Sequence, residues 1–230
     1  MKTFIDRQKV RQRAQLSHTA SISGLILLMA SVVLPLFLPK WVGAASMLMV
    51  IGLGTSMVGI YFANRWVRKP RPEDQLDKVL KGLSDSHHLY HYPSLPCDHV
   101  LLTPNGVVIL ETVNMGGDFS YKKGHWKEAM TVGRALRYIV EEHLGDPIKA
   151  ASETGQYLQN QFGRLIKAEA TIPILPAVIF IHPNVHLEVE NAPITVCELD
   201  KLRKRIVLEA PRLEPDVYEK LSSYLEGKTI

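Results

Sequence analysis

The chain has 230 residues, of which 46% are hydrophobic and 22% charged, a balance that excludes collagen-like, low-complexity and wholly disordered chains. Charge is split unevenly: residues 1–72 carry ten Lys/Arg against one acid, Asp6 (net +9), and residues 73–230 carry 17 Lys/Arg against 22 Asp/Glu (net −5). The pI of about 9.0 therefore belongs to the N-terminal third and is not the footprint of a basic nucleic-acid-binding domain.

Residues 1–19 form a basic N-terminus. From Ala20 to Leu38 there are 19 residues without charge, and from Trp41 to Ala63 another 23. About 20 apolar residues let a helix cross the hydrocarbon core of a bilayer, so two transmembrane helices are predicted at about 20–38 and 41–63. Only Pro39 and Lys40 separate them, which makes them antiparallel neighbours. A cleaved signal peptide fits poorly, because the first run is too long and a second follows at once. Lys2, Arg7, Lys9, Arg11 and Arg13 precede the hairpin and Arg65, Arg68, Lys69 and Arg71 follow it, whereas its turn has only Lys40. Basic flanks stay inside. The expected localisation is the cytoplasmic (inner) membrane, multi-pass, with both termini cytoplasmic and the lipid bilayer as partner. Trp41, Tyr61 and Trp66 suit the two interfaces, and Pro35 is expected to kink or fray the end of the first helix. The small-residue pair Gly52/Ser56 is read as packing within the hairpin; a protein partner or homo-oligomer through the hairpin is the other reading.

A basic linker, residues 64–72, precedes the remainder, residues 73–230, which is read as one cytoplasmic domain. A helix is predicted after Pro72, with Glu73 and Asp74 in its first turn and Leu76, Val79, Leu80 and Leu83 as its apolar stripe. The run HHLYHY predicts a short strand ended by Pro93 and Pro96. Two β-rich runs between Asp98 and Asn114 flank Asn105-Gly106, a strong hairpin signal. A further strand pair is predicted in DFSYKKGHWKEA about the Lys123-Gly124 turn. A helix is expected over Pro147–Ile166 with Asp146 as N-cap, then strands at Leu175–Ile181 and Ile194–Cys197, and helices at about Leu199–Leu208 and Glu214–Leu225. This order predicts an α/β fold, a mixed sheet flanked by helices, preceded by the transmembrane α-helical hairpin.

Asp98 and Glu111 are the constellation that bears on chemistry. With Asn105-Gly106 as the turn, Thr103 pairs roughly with Val108, and Asp98 falls opposite the Val113 region beside Glu111. Two carboxylates at one sheet end suit a single Mg²⁺ or Mn²⁺, which can activate a water and polarise a phosphodiester. On spacing alone, the ordinary strand-end carboxylate is the favoured reading of each.

The segment CDHVLLTPNGVVILETVNMGGDFSYKKGHW resembles the core of the nuclease-related domain (NERD) family, in the restriction-endonuclease-like superfamily. The resemblance extends from about Glu73 to Ile206. It implies a restriction-endonuclease-like sheet and a metal-dependent phosphodiesterase (nuclease) acting on DNA or RNA. Asp98 and Glu111 match the metal-binding, catalytic pair, and Glu73 matches the helix glutamate. Asn114 and Trp126 match the motif asparagine and the structural tryptophan, and Asp146-Pro147 stands where Asn-Pro is usual. Two positions depart from the pattern: Val113 stands at the catalytic lysine and Ala150 at the later glutamine. Lysine there adds positive charge beside the scissile phosphate, and losing such a group costs about two to four orders of magnitude in rate. Lys122 and Lys123 are weaker candidates for a displaced lysine; a solvated turn is their other reading.

The acidic balance of residues 73–230 speaks against tight sequence-independent DNA binding, with Lys201, Arg203, Lys204 and Arg205 as one local basic patch. His87, His88, His91, His182 and His186 lack the spacing of a zinc site, and His99 is expected to face away from Asp98. Cys97 and Cys197 are read as small buried residues in a reducing compartment. There is no Walker A, dinucleotide-glycine, HExxH or GxSxG motif. The first reading is a membrane-anchored nuclease-related protein of impaired catalysis that binds or processes nucleic acid. The alternatives are an active Mg²⁺-dependent nuclease with a displaced lysine and a non-enzymatic membrane assembly protein.

Overall fold

The computed structural model describes residues 1–129, 144–166 and 172–229. The elements are β1 (Lys2–Ile5), α1 (Arg7–Phe37), a 3-10 turn (Pro39–Trp41), α2 (Val42–Trp66), α3 (Pro72–Leu80), β2 (His88–His91), β3 (His99–Thr103), β4 (Gly106–Val113), β5 (Gly117–Lys122) and β6 (His125–Glu128), followed by α4 (Pro147–Ile166), β7 (Ile174–Phe180), β8 (Val185–Val189), β9 (Thr195–Glu198), a 3-10 turn (Leu199–Lys201), α5 (Leu202–Arg205) and α6 (Pro215–Glu226). Among the described residues, one compact unit comprises Met1–Asp6 and everything from Pro72 onward, and the other comprises Arg7–Arg71.

The first unit is a mixed α/β fold. Its main sheet runs β1-β2-β3-β4-β7-β9; β2, β3 and β4 pair antiparallel, and β1, β7 and β9 join as parallel strands. The centre is β4 beside β7, and Val107, Val108, Ile109 and Leu110 are wholly buried, as a strand covered on both faces must be. Alternation sends Leu101, Val108 and Leu110 to one face, with Leu76 and Leu80 of α3 and Leu202 of α5. It sends Val100, Leu102, Val107 and Ile109 to the other, with Leu158 and Phe162 of α4 and Leu221 and Leu225 of α6. Asp146 caps α4 as expected: its Oδ1 accepts from the Lys149 N–H at 3.0 Å.

Four expectations are corrected. The hairpin turn is Pro104-Asn105, because Thr103 pairs with Gly106 and not with Val108. Gly106 belongs to the strand: its φ is 149°, and a Cβ there would run into the Pro173 carbonyl, which accepts the Val107 N–H. Lys2–Ile5, expected within a basic tail, is an edge strand in the main sheet, with Phe4 stacked on Tyr90 at 5.0 Å between centroids. The segment Val185–Val189, predicted as neither helix nor strand, forms β8 and completes a second sheet, β6-β5-β8. The helix expected at Leu199–Leu208 is only a 3-10 turn and one α turn, ending at Arg205.

In the second unit α1 and α2 pack against each other along small residues. The Ser17 hydroxyl donates to the Gly59 carbonyl at 3.1 Å. A Cβ on Gly24 would strike Ser56, one on Gly59 would strike Ser21, and one on Gly52 would meet Leu27 and Leu28. Gly52 and Ser56 therefore face α1 of the same chain. The Arg13 guanidinium lies 5.5 Å from the Phe62 ring, so the basic start of α1 and the basic end of α2 share one end of the hairpin. Both helices are long and apolar enough to cross a membrane, and only 17% of each apolar window is buried. Ile22, Ile26, Val32, Leu36, Met47 and Val50 point outward.

Candidate functional site

The β3–β4 ladder runs from Thr103↔Gly106 to His99↔Leu110. The ladder ends there, and Asp98, the residue before β3, and Glu111, the residue after Leu110, both adjoin that last pair. The sequence reading placed Asp98 opposite the Val113 region, beside Glu111; the observed turn shifts the register of the hairpin by two residues toward Glu111. Alternation along β4 places Glu111 on the face of α4, with Ile109. Asp98 and Glu111 are both half-buried. Two carboxylates so placed suit Mg²⁺ or Mn²⁺, which bind through one or two carboxylates and keep waters for the remaining positions. Among the described residues no group of three or more His, Cys, Asp or Glu comes together as a metal cage.

The backbone carrying Asp98 is tied from both sides. The Thr154 hydroxyl on α4 donates to the Pro96 carbonyl at 3.0 Å. The Tyr92 N–H donates to the Asp98 carbonyl at 2.6 Å. Glu73, on the first turn of α3 and only 2% exposed, accepts the Tyr92 hydroxyl at 2.6 Å. His99 faces away from the carboxylates: its Nδ1 lies 2.8 Å from His91 Nδ1, so one ring donates and the other accepts. His91 Nε2 reaches Asp77 at 3.4 Å. This layer of Glu73, Tyr92, His91, His99 and Asp77 was not visible as a unit in the sequence, because its members come from three elements with no motif spacing.

The motif-lysine position is apolar in its surroundings as well as its identity. Val113 is 9% exposed and packs with Phe119, Ile148, Ala151, Val178 and Phe180. Lys122 lies at the far end of β5, and its ammonium bridges Glu188 at 3.2 Å and Glu190 at 2.9 Å. These two partners raise its pKa, Glu190 first. Five strand steps, about 16 Å, separate it from the Gly117 end of β5. Lys123 occupies the β5–β6 turn with φ of 53° and is exposed. Ala150 is on the exposed side of α4, and Asn114 is exposed just past β4. Trp126 packs its ring on Tyr121 and Phe180 at 5.1 and 5.6 Å. In the basic patch, Lys201 pairs with Glu198 at 2.7 Å and Arg203 donates to the Gly82 carbonyl at 3.3 Å.

Other histidines are used internally: His88 Nδ1 is 3.0 Å from the Ser222 hydroxyl and His87 Nδ1 2.9 Å from that of Ser84. Cys97 and Cys197 are buried, and burial pushes the Cys197 thiol up to about 11. The surface depression lined by Leu165, Asp216, Lys220 and Tyr224 shares no residue with the carboxylate pair.

Comparison with the curated proteins and with the solved structures gives no match. Residues 70–181 match the family model of the nuclease-related domain. That span holds α3, the β3–β4 hairpin with Asp98 and Glu111, the Val113 position, α4 and β7. From α3 to β7, this chain carries a nuclease-related domain of the NERD family.

Proposed function

We propose that the protein is a membrane-anchored nuclease-related protein whose domain engages nucleic acid at the cytoplasmic face of the inner membrane, with its phosphodiesterase chemistry impaired. The observation that carries this reading is Val113, packed against Phe119, Ile148 and Phe180 two residues beyond Glu111. Asp98 and Glu111 would hold Mg²⁺ or Mn²⁺, which would polarise a phosphodiester and acidify a bound water. The chain's own contribution is to fix the two carboxylates at one end of the ladder and to keep Glu73 on Tyr92. Beside them it offers an apolar surface where the motif places a cation. A developing negative charge on phosphate then meets no ammonium from that position.

The membrane half of the reading rests on the outward Ile, Leu, Val and Met side chains of α1 and α2. Water would not tolerate so continuous an apolar surface, and lipid accepts it. Arg7, Lys9, Arg11, Arg13, Arg65 and Arg68 cluster at the end away from Lys40, which favours both termini inside.

The test is a nuclease assay of the full chain in detergent or vesicles, because β1 belongs to the domain sheet. Single- and double-stranded DNA and RNA are offered with Mg²⁺ or Mn²⁺, alongside Glu111→Ala and Val113→Lys, each checked for folding by circular dichroism. Wild-type silence with cutting by Val113→Lys supports an intact scaffold disabled at one position. Cutting by wild type that Glu111→Ala abolishes overturns the impaired reading and favours the active alternative. Silence from both, with no oligonucleotide binding, favours the assembly alternative.

A further inference from the structure

Tyr92 is 2% exposed and has φ of 58°, a left-handed conformation that a bulky residue holds only when its surroundings over-determine it. Three attachments do so. Its N–H donates to the Asp98 carbonyl at 2.6 Å, its hydroxyl to Glu73 at 2.6 Å, and its ring lies 5.1 Å from that of His99. The residue before it, His91, closes the β1–β2 ladder: its carbonyl accepts the Asp6 N–H at 3.3 Å. Thr3 of β1 further bonds Asp77 at 3.1 Å, the residue that His91 Nε2 reaches.

Asp6 and Glu73 are also the points where the chain leaves and re-enters this domain. α1 begins at Arg7, the residue after Asp6, and Glu73 is the second residue of α3, reached from the end of α2 at Trp66 through residues 67–71. The apolar hairpin is thus an insertion between β1 and α3. Both of its connections end on the corner that holds the Asp98 backbone: one through His91 into Tyr92, the other through Glu73 onto the Tyr92 hydroxyl. α1 follows Asp6 directly in the chain.

We propose that Tyr92 is a positioning residue coupling the membrane hairpin to the Asp98 segment, so that a shift of α1 or α2 in the bilayer alters the backbone presenting Asp98. Movement of Asp6 frees the His91 carbonyl just before Tyr92, and movement of Glu73 frees the Tyr92 hydroxyl; in either case Tyr92 relaxes from its left-handed conformation and the Asp98 carbonyl loses its donor. The effect on a bound cation rests on the reading of Asp98 given above; the mechanical link does not.

The experiment uses the full chain in phosphatidylethanolamine–phosphatidylglycerol vesicles, at a temperature where every variant is folded. Four chains are compared: wild type, a Gly-Ser-Gly-Ser insertion between Asp6 and Arg7, Tyr92→Phe, and Asp98→Ala. Amide hydrogen exchange is read over residues 92–103, with α6 as internal reference, and Mn²⁺ affinity is read by electron paramagnetic resonance. The insertion and Tyr92→Phe are expected to speed exchange over 92–103 by about ten-fold, roughly the worth of one buried hydrogen bond, while α6 stays unchanged. Mn²⁺ affinity should fall several-fold in both. Unchanged exchange over 92–103 in the insertion chain overturns the proposal. So does a Mn²⁺ affinity that Asp98→Ala abolishes but neither coupling variant moves; in that case Tyr92 serves the fold alone. Faster exchange with equal Mn²⁺ binding in wild type and Asp98→Ala upholds the link and overturns the cation reading instead.

Discussion

Val113 pairs with Phe180 in the parallel β4–β7 ladder, and its side chain packs among Phe119, Ile148 and Ala151. Its methyl groups therefore serve the core of the domain at the position where the motif places a cation. Val113→Ala is expected to lower stability by about 2 kcal/mol, for two buried carbons and the space they leave. Val113→Lys should lower it further, because the ammonium must leave the cluster to find Glu111 or water. Thermal melts of the two variants check the order; a Val113→Lys chain as stable as wild type would mean the cluster opens freely to solvent.

Gly106 is held by geometry as well as by turn chemistry. With φ at 149° and the Pro173 carbonyl in the place of a Cβ, Gly106→Ala forces β4 away from the strand-entry residue whose carbonyl accepts the Val107 N–H. A loss of about 2–4 kcal/mol is expected from strain and a weakened buried bond. Chemical denaturation of Gly106→Ala beside Gly124→Ala separates the two causes, since Gly124 has φ of 82° but open space around its Cα.

Acid should loosen the contact between β2 and α6. Burial, with the charge of Lys2 adding to it, lowers the His88 pKa from 6.5 against an opposing pull from Glu226; burial also lowers that of His87. The folded state then binds fewer protons than the unfolded one below about pH 6.5, so stability present above that pH is lost as pH falls through the folded values. The melting temperature should decline from pH 6.5 downward, and His88→Gln should flatten the decline. An equal slope in that variant would assign the acid sensitivity to other groups.

The hairpin should close within one chain. Gly24 faces Ser56 so closely that no Cβ fits between them. In a Cys97→Ser, Cys197→Ser background, Ser56→Cys alone is expected to stay monomeric on a denaturing gel after mild oxidation in membranes, because Gly24 of the same chain covers it. A predominantly dimeric product would place Ser56 against a second copy and favour the oligomer reading.

Much of this architecture was legible before the coordinates. The charge-free runs, the basic flanks, the Asp146-Pro147 helix start and the apolar β4 and β7 all act through local rules of hydropathy, capping and periodicity, and each appears close to its expected place. The edge strand β1 was not legible, because Lys2–Ile5 has no alternation of its own and is a strand only because β2 offers an unpaired edge. β8 was hidden for the same reason: Val185–Val189 alternates weakly and pairs with β5 from 68 residues away along the chain.

The hairpin between Asp98 and Glu111 shows where the boundary lies. The sequence alone determined that two carboxylates flank one hairpin, that a valine follows where a lysine belongs, and that an apolar hairpin precedes the domain, since composition and motif spacing are properties of the chain. Only the tertiary structure decided the register, because a turn at Pro104-Asn105 or at Asn105-Gly106 satisfies the same local chemistry. The Pro173 carbonyl, waiting beside Gly106, selects one of them. Likewise only the fold decided that Tyr92 meets Glu73 and that Asp6 meets His91, since such contacts arise when distant segments are packed to close density and carry no signature in the order of residues.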